Sequence, residues 1–135
     1  MPCFHDSADS DAPAEEVWKL LYDPARFPDW WAGVGHVDVD VERDGAYTMY
    51  PEGYPEFPMA QLLETVRDQQ RVTVSCLVSD LRFEWRLEAL GGGERTRITV
   101  DVEIPEAEAA RLEGQREAIS ASLGKLARLA SLTVD

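Results

Sequence analysis

The sequence predicts an α+β domain, a curved antiparallel sheet of about seven strands wrapped around a long C-terminal helix, with two short helices after strand one. Three features predict it. Apolar residues recur at spacings of three and four between residues 13 and 22, alternate with polar ones from His36 to Ile104, and return to helical spacing from residue 106 to about residue 132. In that order the final helix has only the concave face of the sheet to cover, and an apolar space is expected between them.

Residues 2–9 predict an edge strand of weak alternation. Pro13 suits a first helical position, where its missing N–H would be unpaired anyway, and Glu15 and Glu16 complement the positive end of the helix dipole. Ala14, Val17, Leu20 and Leu21 share one face of that helix, which reaches about Tyr22 and stops at Asp23-Pro24. A second short helix, about 24–31, ends at Gly33 and Gly35. Trp18 and Trp30 are expected to anchor these two helices.

From His36 the period becomes two. Val37, Val39 and Val41 alternate with acidic residues, and Asp44-Gly45 signals a tight hairpin into a strand over 46–50. Residues 51–58, with three prolines, one glycine, Tyr54 and Phe57, form a loop over or beside the cavity mouth. Strand four (about 59–67) turns at 68–70 into strand five (71–79), which turns at Asp80. Leu81, Phe83, Trp85 and Leu87 then alternate with arginine and glutamate, and Gly91 to Glu94 joins this strand to one from Thr96 to Ile104 with the same alternation. The charged faces of these last two strands read as a solvated ladder.

The final helix carries Leu112, Ile119, Leu123, Leu126 and Ala130 in one stripe, with Gly114 and Gly124 on the outer side and a bend or break expected near Gly114. Gln115 and Ser122 fall within or beside the inward stripe. Buried polar groups there require partners.

The 135 residues fit a single domain, 1–135, able to bury roughly two thirds of the unfolded chain's surface. No stretch is apolar enough to insert into a membrane, and the first residues lack the pattern of a signal peptide, so a cytoplasmic protein with Cys3 and Cys76 as reduced core thiols is expected. The net charge of −13, from 26 acidic and 13 basic residues, would repel nucleic acid. A free small molecule is the easier partner. His5 and His36 form no metal-ligand spacing with Cys3, Cys76 or a carboxylate, so no metal and no cofactor is expected. A Gly-x-Ser-x-Gly elbow is missing, and Gly91 to Gly93 lie between strands rather than before a helix.

The run Ala12-Pro13-Ala14-Glu15-Glu16-Val17-Trp18, then Asp23-Pro24 and Phe27-Pro28-Asp29-Trp30, resembles the opening signature of the START-like (SRPBCC) superfamily, especially its polyketide cyclase/dehydrase-like branch. The Trp85-x-Leu87 and Thr96-x-Ile98 strands and the long last helix also fit, so the resemblance covers nearly the whole chain. It implies the helix-grip fold and a deep hydrophobic cavity. The superfamily includes lipid and hormone carriers, aromatase/cyclases and chaperone-linked proteins, and sharing the fold does not choose among them.

Side chains facing the final helix are the ligand-binding candidates: Phe83 and Trp85 first, then Trp31, Tyr47, Met49 and Met59, with Gln115, Ile119 and Ser122 on the helix itself. A register slip of one residue would exchange Tyr47 and Met49 for Thr48 and Tyr50. No catalytic residue is assigned. A cyclase would orient a poly-carbonyl chain and stabilise an enolate, with Tyr47 as donor and Glu64 as base only if it pointed inward, a direction the pattern leaves open. The inner faces of strands six and seven carry no arginine, whereas cyclases of the family commonly place one in the cavity. The primary expectation is therefore a non-catalytic binder of a hydrophobic or amphipathic small molecule. The alternatives are a polyketide cyclase or dehydratase using the same cavity, and a chaperone-activator-like interaction module drawing on Asp29-Trp30-Trp31. No feature chooses an oligomeric state.

Overall fold

Strict alternation over the middle of the chain yields one seven-stranded antiparallel sheet, seen in a computed structural model that describes residues 2–132. Its strands are β1 (Cys3–Ser10), β2 (Val34–Val39), β3 (Ala46–Pro51), β4 (Met59–Val66), β5 (Arg71–Cys76), β6 (Arg82–Leu90) and β7 (Arg95–Glu103). Their spatial order is β1-β7-β6-β5-β4-β3-β2. β2 to β7 follow each other as neighbours, and β1 closes the far edge by pairing with β7. Helix α1 (Ala14–Leu21) and a 3-10 segment (Pro24–Asp29) follow β1, and helix α2 (Leu112–Leu132) ends the described chain.

Cross-strand register assigns each side chain to a face. Leu63, Val74, Phe83 and Val102 form one inner row, and Thr65, Val72, Trp85 and Val100 the next. The outer rows carry the charges. Arg86 pairs with Asp101 and lies 3.8 Å from Glu84, while Arg82 lies 3.7 Å from both Glu84 and Glu103. The ladder is thus a solvated set of ion pairs, each contributing under about 1 kcal/mol.

Helix α2 lies against β1 and α1, pressing Ile119, Leu123, Leu126 and Ala130 into the core. Each large apolar side chain so buried stabilises by about 1.5–3 kcal/mol. Hydroxyl groups fasten the same region: Ser10 donates to the Ala127 carbonyl at 2.7 Å and Thr96 to that of Ala12 at 2.8 Å.

Several boundaries differ from the sequence expectation. β5 ends at Cys76, because Asp80 folds back to donate its N–H to the Cys76 carbonyl and adopts a left-handed φ of +61°. β2 starts earlier and stops at Val39. The chain then leaves the sheet over residues 40–45, so Val41 is 94% exposed and the tight Asp44-Gly45 hairpin becomes a wider loop. Gly45 itself has φ +81°, and a Cβ there would collide with the Leu63 carbonyl oxygen. The final helix is continuous through Gly114. Its break lies upstream, where residues 106–111 form a 3-10 segment with Glu108 out of helical geometry (φ −112°, ψ 16°). Gly114 has open space around it, so nothing forces a bend there. Cys3 is exposed on the outer face rather than in the core; Cys76 is buried, and both are free thiols.

Candidate ligand cavity

Beneath the first turns of α2 the two layers separate. A cavity of about 180 Å³, open on one side, lies between α2, the segment joining the 3-10 helix to β2, and the inner faces of β3 to β6. Tyr47 faces Gln61, which faces Cys76, so one inner row crosses β3, β4 and β5; Met49 faces Met59 in the row beside it. This register settles the direction of strand three: Tyr47 and Met49 point inward. Glu64 points the other way. It shares an outer row with Thr73, Glu84 and Asp101, is exposed, and takes no part in the cavity.

Six of the nine candidates line the space: Trp31, Tyr47, Met49, Met59, Phe83 and Gln115. Trp85, Ile119 and Ser122 do not. Trp85 is 0% exposed and lies behind Trp31, whose ring centroid stands 5.3 Å away at 74°, with Trp30 edge-on at 5.1 Å. Its indole Nε1 is fully enclosed and has no hydrogen-bond partner among the described residues. Ile119 is one turn beyond Gln115, where α2 has already met the sheet, and is fully buried. Ser122 is a fastener. Its hydroxyl donates to the Ala118 carbonyl at 2.6 Å and accepts the Ala32 N–H at 2.9 Å, locking the segment after the 3-10 helix onto α2.

Trp31 divides the interior. It stacks on Trp30 (5.4 Å, 19°) and meets Phe83 edge to face at 5.0 Å and 84°, forming the wall between aromatic core and cavity. Because Trp30 and Trp31 are both buried, the Asp29-Trp30-Trp31 segment offers no tryptophan surface to a protein partner.

The sequence reading missed Gln61, Cys76, Ser79, Leu81 and Arg111 in the lining. Gln61 and Cys76 become visible once register is known, two residues from Met59 and Val74 on the same faces. Arg111 lies four residues before Gln115, the spacing that stacks side chains on one helical face, but it sits on the 3-10 segment outside the stripe.

The polar side chains of the lining differ in exposure. Tyr47 and Gln61 are buried; Arg111 and Gln115 stand nearer the solvent. Burial holds the Tyr47 phenol well above its ordinary range, with Cys76 adding to the effect, so it remains a neutral O–H donor. That hydroxyl has no hydrogen-bond partner among the described residues. Gln61 donates weakly to its neighbour's carbonyl, Met59, at 3.4 Å. Among the described lining residues there is no Asp, Glu, His or Lys. No three His, Cys, Asp or Glu side chains of the described residues are grouped as a metal ion would require. No helix among them is long and apolar enough to cross a membrane.

Comparison with known proteins agrees with this architecture. The chain is similar to the ZhuI aromatase/cyclase of Streptomyces sp. R1128 (17% identity, TM-score 0.82, covering 96% of this chain and 93% of that one). It is similar to a START superfamily protein of Mycobacterium smegmatis (12%, 0.71, 94% and 98%). It also matches the di-domain ARO/CYC BexL of the BE-7585A biosynthetic pathway (16%, 0.77, 95% and 46%). At these identities the likeness is one of fold. No curated protein sequence matches. A family model described as polyketide cyclase / dehydrase and lipid transport matches residues 1–131, and the chain therefore belongs to that family.

Proposed function

We propose that the protein binds a hydrophobic or amphipathic small molecule in the cavity beneath the start of α2, as a carrier or sensor rather than a catalyst. One observation carries this reading. The cavity is built from aromatic, thioether and amide side chains and holds no carboxylate, imidazole or amine, the groups that move protons near neutral pH. Its polar groups, Tyr47, Gln61, Ser79, Arg111 and Gln115, suit orientation of a ligand, and the cavity does hold an arginine, supplied by the 3-10 segment before α2 rather than by strands six and seven. Two free thiols are in keeping with work in the cytoplasm.

Native mass spectrometry of the purified protein tests the reading. A co-purified small molecule is expected, with Phe83→Ala and Gln115→Ala each lowering its occupancy. Unchanged ligand affinity in both variants would overturn the site.

The second reading, a polyketide cyclase or dehydratase, draws on Tyr47. A neutral phenol with its O–H unpaired inside the cavity is a donor suited to a developing enolate. Turnover of a poly-carbonyl substrate that Tyr47→Phe abolishes without loss of binding would favour it.

A further inference from the structure

The cavity's size and charge narrow the ligand further. We propose, resting on the reading of this cavity as a ligand site, that it takes a single-ring aromatic carboxylate. The ring would lie among Trp31, Met49 and Phe83, and the carboxylate would point toward Arg111 and Gln115.

Volume comes first. About 180 Å³ is below the range of pockets for drug-sized ligands and slightly above the ~150 Å³ that encloses one benzene ring. A fused polycycle or a long acyl chain would have to extend through the open side. The walls favour a ring: Phe83 and Trp31 stand at 84° to each other, and the Met49 and Met59 thioethers are side by side in register, a surface suited to aromatic edges.

Charge comes second. Acidic residues outnumber basic ones by 26 to 13 in this chain, yet no carboxylate lines the cavity and one arginine does. Arg111 holds Glu108 through Nε at 2.6 Å, which fixes the guanidinium while leaving its terminal N–H donors uncommitted among the described residues. Gln115 follows one turn later and adds an amide donor on the same side. This pair is a fork for a carboxylate at the wetter end. Tyr47 and Gln61 at the buried end would receive a hydroxyl or carbonyl substituent of the ring.

Titration calorimetry with benzoate, benzamide, 2-naphthoate and decanoate tests the proposal. Benzoate is expected to bind about tenfold or more tightly than benzamide, and Arg111→Gln to remove that difference. Glu108→Gln, which frees the guanidinium, should tighten benzoate. Both substituted residues lie near solvent, so the fold is retained. Equal binding of benzamide, or an Arg111→Gln variant that binds benzoate as the wild type does, overturns the carboxylate assignment. Tighter binding of naphthoate or decanoate overturns the single ring. In all these cases the cavity reading survives, because a probe still binds and Phe83→Ala still weakens it. If no probe binds, the proposal fails, and the presence or absence of a co-purified molecule in native mass spectra decides separately whether the cavity reading fails with it.

Discussion

The two halves of the sheet's concave face share one meander and one alternating pattern, yet one is filled and the other is hollow. Over β7, β1 and the part of β6 from Trp85 onward the filling is complete: Trp85, Ile98, Val100, Leu123 and Leu126 are buried against α1 and the later turns of α2. Over β3, β4 and β5 the first turns of α2 cover less, and Trp31 stands as the partition. The difference follows the course of the terminal helical segment, which packs against β1 and α1 and reaches the cavity through Arg111 and Gln115.

Trp85→Ala in the filled half should have the largest effect, about 3–5 kcal/mol of stability lost by urea denaturation, because an enclosed void replaces a fully buried ring. Phe83→Ala, two residues away but already beside empty space, should cost less than half of that. Equal losses would erase the distinction between the halves. Ser122→Ala comes next at about 0.5–1.5 kcal/mol, since the half-buried Ala32 N–H loses its acceptor. Gln115→Ala, on the same helix but facing the hollow, should stay within about 0.5 kcal/mol.

Tyr47 gives a pH signature of the hollow half. Burial raises its folded-state pKa above the ordinary value of about 10, so above that pH the unfolded chain releases a proton the folded protein keeps. Stability is therefore unaffected below pH ~10 and falls as pH rises beyond it, with a limiting slope of about 1.4 kcal/mol per pH unit. Tyr47→Phe should flatten that alkaline limb in pH-dependent denaturation, whereas a limb unchanged by the substitution would show the phenol to be hydrated. A small effect is also expected on the outer face: Arg86→Gln should cost under about 1 kcal/mol despite its two acidic neighbours.

The filled half was legible in the sequence and the hollow half only partly so. Period-two runs from Leu81 to Leu87 and from Thr96 to Ile104, and the stripe of Ile119, Leu123 and Leu126, each name their own buried face. The β3 and β4 strands do not, because Tyr50 and Leu62, as apolar by type as Tyr47 and Met49, lie on the other face, while the polar Gln61 points inward. Trp85 was misjudged because facing the helix is not the same as facing the cavity; only the position of Trp31 separates the two. Arg111 has the i, i+4 spacing to Gln115, but as a charged residue outside the apolar stripe it carried no sign of facing the cavity.

A crystal structure under xenon pressure tests the hollow, since apolar space beside a methionine pair and an aromatic edge is where xenon collects. A xenon peak is expected among Met49, Met59 and Phe83, and none among Trp85, Val100 and Leu126. Phe83 and Gln115 in direct contact, with no peak between them and the sheet, would contradict it.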